Sequence, residues 1–229
     1  MRVHERDVEV GVAGRLLSGR LCVPERASGL VLLVSDEEGP LGAPVREVLH
    51  AAGLVTLELA WRTADESMAE DWTVRDGAHA ELIAYRLEVA RDWLQRDDAL
   101  SLLPVGYLGA GLGSAAVLVA AAHLPQGVQS VVTLGGRPDL AGAFLSEVRV
   151  PTLLLGAGDD ADRVRLVRGV LAELGDRTRK ALQLIEGASR GFPEVEPRVR
   201  AARLAAAWFV DCFRAVAGPG VVEWTGGDV

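Results

Sequence analysis

Apolar positions along the chain fall into short runs with two alternating rhythms. Val3 to Val12 carries apolar residues at every second position, and Leu16 to Val23 forms a second short run with Gly19 inside it. The Gly11–Ala13–Gly14 stretch between them predicts a hairpin turn. Gly29 to Ser35 is a continuous apolar run, the pattern of a strand buried on both faces. Leu54–Ala60, Pro104–Gly109, Val128–Leu134, Val150–Leu155 and Ala181–Ile185 repeat that signal. Between them the spacing changes to that of helices, over about Ala43–Ala52, Ala78–Gln95, Leu112–Ala122, Asp162–Leu174 and Glu196–Val216. In the second of these, Leu82, Ile83, Leu87, Ala90 and Leu94 share one face. The segment from Trp61 to Asp76 is polar and irregular. Strands alternating with helices predict the α/β class, with a mostly parallel sheet of about eight strands covered by helices on both faces. The first two strands form an antiparallel edge. No linker or repeat interrupts the pattern, so residues 1–217 read as a single domain and 218–229 as a C-terminal tail.

Composition narrows the function classes. The chain has 229 residues, of which 49% are hydrophobic, enough for a full core and too many for disorder. The net charge of −8 excludes a general basic footprint for nucleic acid. The apolar run from Ala115 to Ala122 is far shorter than a bilayer span, and the first residues carry acids without an apolar core. No membrane partner and no signal peptide are expected. Cys22 and Cys212 lie far apart and outside any metal-ligand spacing, so the expectation is a reducing, cytoplasmic compartment with no metal and no cofactor. Lys180 is the one lysine, and the basic charge is otherwise arginine.

The segment Gly106 to Ala116 carries the most chemistry. A strand ends, a glycine-dense turn follows, and a helix of small residues begins. This is the local form of a nucleophile elbow, G-x-S-x-G, in which flanking glycines let strand and helix approach while the central residue takes a positive φ. The five residues are Gly109-Ala110-Gly111-Leu112-Gly113, so the spacing fits and the nucleophile position is Gly111. Three more motifs follow in order: Gly135-Gly-Arg-Pro-Asp-Leu-Ala141, Val150-Pro-Thr-Leu-Leu-Leu155 and Ala207-Trp-Phe209. With these the chain resembles the dienelactone hydrolase-like branch of the α/β-hydrolases, in particular a small bacterial group without a cap domain that carries G-G-R-P-D-L-A. The likeness runs from about residue 8 to 216.

The resemblance implies an α/β-hydrolase fold with no cap and a degenerate catalytic triad. It places the triad acid at Asp160, with Asp159 as the near alternative. It places the base in the loop after the last strand, where family members read G-A-T-H or G-A-S-H and this chain reads Gly187-Ala-Ser-Arg190. An arginine stays protonated and cannot take a proton from a nucleophile. The oxyanion loop, His-Gly in family members, is Ser35-Asp-Glu-Glu-Gly39 here, and carboxylates there would oppose a developing oxyanion. Ser114 belongs to the first turn of the helix and reads as a structural serine bonding a free backbone N–H. His4, His50, His79 and His123 all lie away from the base position.

A cleft at the carboxyl ends of the strands follows from the topology. Its expected lining is Ser35, Asp36, Gly111, Leu112, Arg137, Asp160 and Arg190. Of these, Ser35, Asp36, Leu112 and Arg137 are the candidate ligand contacts, and Arg137 reads as a loop organiser through Asp139. Asp160 and Arg190 are expected to pair, since an orphaned buried carboxylate is costly. Trp61 and Trp72 bracket the irregular segment, whose acids Asp65, Glu66, Glu70, Asp71 and Asp76 read as a solvated face. Trp224 in the tail is positioned to cover a groove on its own domain or on a second subunit. The functional expectation is a pseudo-hydrolase with a binding, regulatory or scaffolding role. Its partner would be a small molecule in the cleft or a protein, and a homodimer is left open. The alternatives are an enzyme that uses the cleft carboxylates and Arg190 for another reaction, or a residual small-ester or lactone hydrolase.

Overall fold

The computed structural model describes residues 2–35, 41–63, 66, 76–176, 179–217 and 222–223. Strands β1 (Val3–Val12) and β2 (Arg15–Pro24) pair in register from Val3 against Pro24 to Val12 against Arg15. Only Ala13 and Gly14 lie between them. Both take left-handed dihedrals, φ 49° and 79°, as a two-residue hairpin requires. The short β3 (Arg26–Ala27) leads into β4 (Gly29–Ser35), buried to Val34 on both faces. Helix α1 (Ala43–Ala51) crosses to β5 (Leu54–Leu59). Then follow α2 (Gly77–Leu94), β6 (Val105–Ala110), α3 (Gly113–His123) and β7 (Ser130–Leu134). After β7 comes a 3-10 segment, Pro138–Glu147, broken at Gly142. The chain closes with β8 (Thr152–Ala157), α4 (Ala161–Glu173), β9 (Lys180–Ile185) and α5 (Val195–Ala217).

The eight main strands form one sheet in the order β1-β2-β5-β4-β6-β7-β8-β9. β1, β2 and β5 run antiparallel to one another in turn, and β4 to β9 are parallel neighbours. The chain steps from β4 to β5 on one side and then to β6 on the other. That reversal leaves a crevice beyond the carboxyl ends of β4 and β6, where Ser35 is level with Ala110. Two apolar layers flank the sheet. One packs Ile83, Leu87, Val117 and Val167 from α2, α3 and α4; the other packs Val45 and Leu49 of α1 with Phe209 and Phe213 of α5. Among the described residues no cap domain is evident, and no helix is long and apolar enough to cross a membrane.

Within the tail, Val222–Glu223 forms β10 and pairs antiparallel with β3. One expectation changes. Glu66 was expected on a solvated face. It accepts from Arg86 Nη2 at 2.7 Å, and Arg86, only 4% exposed, also donates to the Trp61 carbonyl. Burial alone would raise the Glu66 pKa, yet the hydrogen bonds from Arg86 and Thr63 bring it below the usual value. Trp61 packs on the core with the Arg62 guanidinium over its ring. Trp72 and Trp224 lie outside the described residues.

Candidate functional site: the elbow pocket

The turn from β6 to α3 is held by close backbone approach. Gly111 takes φ 60°, the strained position of an elbow apex. A Cβ on Gly109 would lie 2.1 Å from the Gly113 carbonyl oxygen, so no larger residue fits while strand and helix keep this distance. The G-G-R-P-D motif has a matching cause. Gly136, at φ 75°, packs so tightly on the elbow that its Cβ would fall 2.1 Å from the Gly111 oxygen. The next residue, Arg137, donates its backbone N–H to that same oxygen at 3.0 Å. The elbow and the β7 turn are thus one backbone unit.

Ser114 fastens it. This hydroxyl is fully buried and lies within hydrogen-bond distance of two carbonyl oxygens, Gly109 at 3.0 Å and Gly135 at 2.9 Å. The role is structural, as expected, although the partners are carbonyls rather than N–H groups. The Arg137 guanidinium forks onto Asp139, with Nε–Oδ1 2.8 Å and Nη2–Oδ2 2.6 Å, and this pairing raises its pKa further.

The facing wall comes from the loops after β8 and β9. Asp160 does not pair with Arg190. Its Oδ1 caps α4 instead, accepting from the backbone N–H of Asp162 and Arg163, both at 3.1 Å. Two orphan N–H donors compete for that carboxylate and hold it. Asp159 is the acid that reaches the loop after β9, accepting from Gly187 N–H at 3.2 Å. That loop is tied by Ser189, whose N–H and hydroxyl both donate to Glu194, lowering the Glu194 pKa. It ends in Gly191 and Phe192, both left-handed, with Phe192 fully buried under Gly135. Arg190 is exposed between these anchors and makes no hydrogen bond or ion pair with any described residue.

These walls enclose a cavity of about 140 Å³. Gly111, Leu112, Arg137 and Arg190 line it, as the sequence predicted. Arg163 and Phe192 line it too and were missed. Arg163 stands in the first turn of α4, three residues past the cap. Among the described residues its Nη1 meets only the Gly136 oxygen, at 3.4 Å. Asp160 is not part of the lining.

Ser35 lies elsewhere, in a broad open groove beside the β1–β2 hairpin, with Asp7, Glu9, Arg20 and Glu58. In that region Arg46 of α1 pairs with Glu58 at 2.7 Å. Asp36 and its acidic neighbours Glu37 and Glu38 fall outside the described residues. Three of the four histidines are engaged elsewhere: His50 is buried against Thr56 with its pKa lowered by burial, His79 meets Asp76, and His123 meets Glu88. Among the described residues no group of three or more His, Cys, Asp or Glu could hold a metal ion.

No family model matches the chain. Among solved structures, a dienelactone hydrolase from Anabaena variabilis is 37% identical, superposes with a TM-score of 0.83, and is matched over 92% of this chain and 99% of that one. Est1E from Butyrivibrio proteoclasticus shares the fold at 13% identity and a TM-score of 0.70, over 89% of this chain and 98% of that one. A dienelactone hydrolase-like promiscuous phosphotriesterase from metagenomic libraries does so at 16% and 0.67, over 92% of this chain and 98% of that one. A Mycobacterium tuberculosis H37Rv protein provisionally named a phosphoribosyl transferase is 37% identical over 224 residues, 94% of this chain and 48% of that protein. The chain therefore spans about half the length of the curated relatives it matches.

Proposed function

The chain belongs to the dienelactone hydrolase-like α/β-hydrolases, and from that membership we propose that it works as a small-molecule-binding protein without serine-hydrolase chemistry. The observation that carries this reading is the apex of the elbow. A residue at φ 60° between β6 and α3 is where the fold would present a nucleophile, and that residue is Gly111. The nearby serine, Ser114, is buried with its hydroxyl set against two carbonyl oxygens, so it offers no substitute. Opposite the apex stands Arg190, which cannot serve as a general base. Loss of one triad member alone costs several orders of magnitude in rate. The test is steady-state hydrolysis of small activated esters and lactones by the purified chain. No saturable turnover above buffer is expected; saturable turnover that survives further purification would overturn the reading.

A second reading comes from the longer relatives. We propose that, in a protein of their length, the half matched by this chain holds a phosphorylated ligand while the other half carries any phosphoribosyl transfer. This chain alone should then leave an activated phosphoribosyl donor intact. Its consumption by the purified chain would place transfer chemistry in this half.

A further inference from the structure

We propose that the elbow pocket, at the start of helix α3, is a phosphate site that recognises a dianionic phosphate group through Arg190 and Arg163. This deepens the binding reading at the same pocket and rests on it. Among the described residues the cavity lining contains three arginines and no carboxylate, in a chain whose net charge is −8. Arg137 is neutralised by its fork onto Asp139. Arg163 is half-buried and has a single long contact to a carbonyl oxygen, and Arg190 has no partner among the described residues. Two guanidinium groups therefore face this space with their charge uncompensated by any acid among the described residues.

The backbone adds to them. Helix α3 opens onto the cavity through Gly111 and Leu112, and Leu112 at its N-cap supplies no side-chain cap. The contrast with α4 is direct, because Asp160 supplies a carboxylate at that N-terminus. A helix start contributes roughly half a positive charge. Added to the two guanidiniums, that balances a dianion better than a monoanion. Leu155, Leu166, Val167 and Phe192 form an apolar floor, which strengthens charge-assisted hydrogen bonds by excluding water. A volume of about 140 Å³ suits a tetrahedral oxyanion or the phosphorylated end of a small molecule, and is below that of a typical drug-sized pocket.

The test is calorimetric titration of the purified chain at constant ionic strength with inorganic phosphate, glycerol phosphate and acetate. Saturable binding is expected for at least one phosphate ligand, with acetate about tenfold weaker or worse. Arg190→Gln and Arg163→Gln should each weaken phosphate binding by about tenfold, with unliganded melting temperatures near that of the parent. Tighter binding of inorganic phosphate or of the phosphomonoester tells which source fills the site, and either upholds phosphate recognition. Absence of saturable binding by both, acetate binding as tight as phosphate, or unchanged affinity in both folded variants would overturn it. Ester turnover does not enter this test: a hydrolase with this subsite would still bind phosphate, and a non-hydrolase without it would not.

Discussion

On the elbow wall of the pocket, position is set by backbone crowding. Gly109 and Gly136 have no room for a Cβ, the Arg137 N–H reaches the Gly111 oxygen, and the Ser114 hydroxyl lies against two further carbonyls. On the facing wall, position is set by side chains. Asp160 caps α4, Glu194 ties Ser189, and Arg190 projects between them without a partner among the described residues. The first wall tolerates almost no change in shape, and it keeps the geometry of the fold even where Gly111 leaves no nucleophile. The second can change its chemistry without disturbing the sheet, and there Arg190 lines the pocket. A fold can thus preserve a site's form on one side while the other side alters what the site does.

The contrast can be broken by substitution, and the effects should descend from the first wall to the second. Gly136→Ala adds a Cβ at a positive φ into the Gly111 carbonyl, and should cost about 3 kcal/mol or more in chemical denaturation. Ser114→Ala removes a buried hydrogen-bonding hydroxyl and should cost about 1–3 kcal/mol by the same measurement. Asp160→Ala removes only a helix cap, for about 1 kcal/mol. Arg190→Gln should shift stability by no more than about 0.5 kcal/mol. If Asp160→Ala proved as damaging as Gly136→Ala, the division between a wall of fold and a wall of chemistry would fail.

The sheet was legible in the sequence because each strand is a short apolar run bounded by turn residues. The elbow was legible because Gly109, Gly111 and Gly113 stand at a spacing that only close backbone approach explains. Side-chain pairing was less legible. Asp160 and Arg190 sit on converging loops, but the sequence does not reveal that a helix start two residues away competes for the carboxylate. Arg163 was hidden because helical periodicity marks it as one more polar residue on α4. Ser35 was assigned to the elbow cleft from its place at the end of β4, yet its groove lies on the hairpin side of the sheet, with Asp7 and Glu58. The partner of Arg86 was hidden because Glu66 lies in a run of acids that reads as solvated surface.

The central claim is that the elbow presents no nucleophile, and covalent labelling tests it most directly. The purified native chain would be incubated with excess fluorophosphonate, an electrophile that captures activated serines, and its intact mass recorded. The account predicts an unmodified mass, because the apex is Gly111 and the Ser114 hydroxyl is buried against carbonyl oxygens. A stoichiometric adduct on any serine of the folded protein would contradict it.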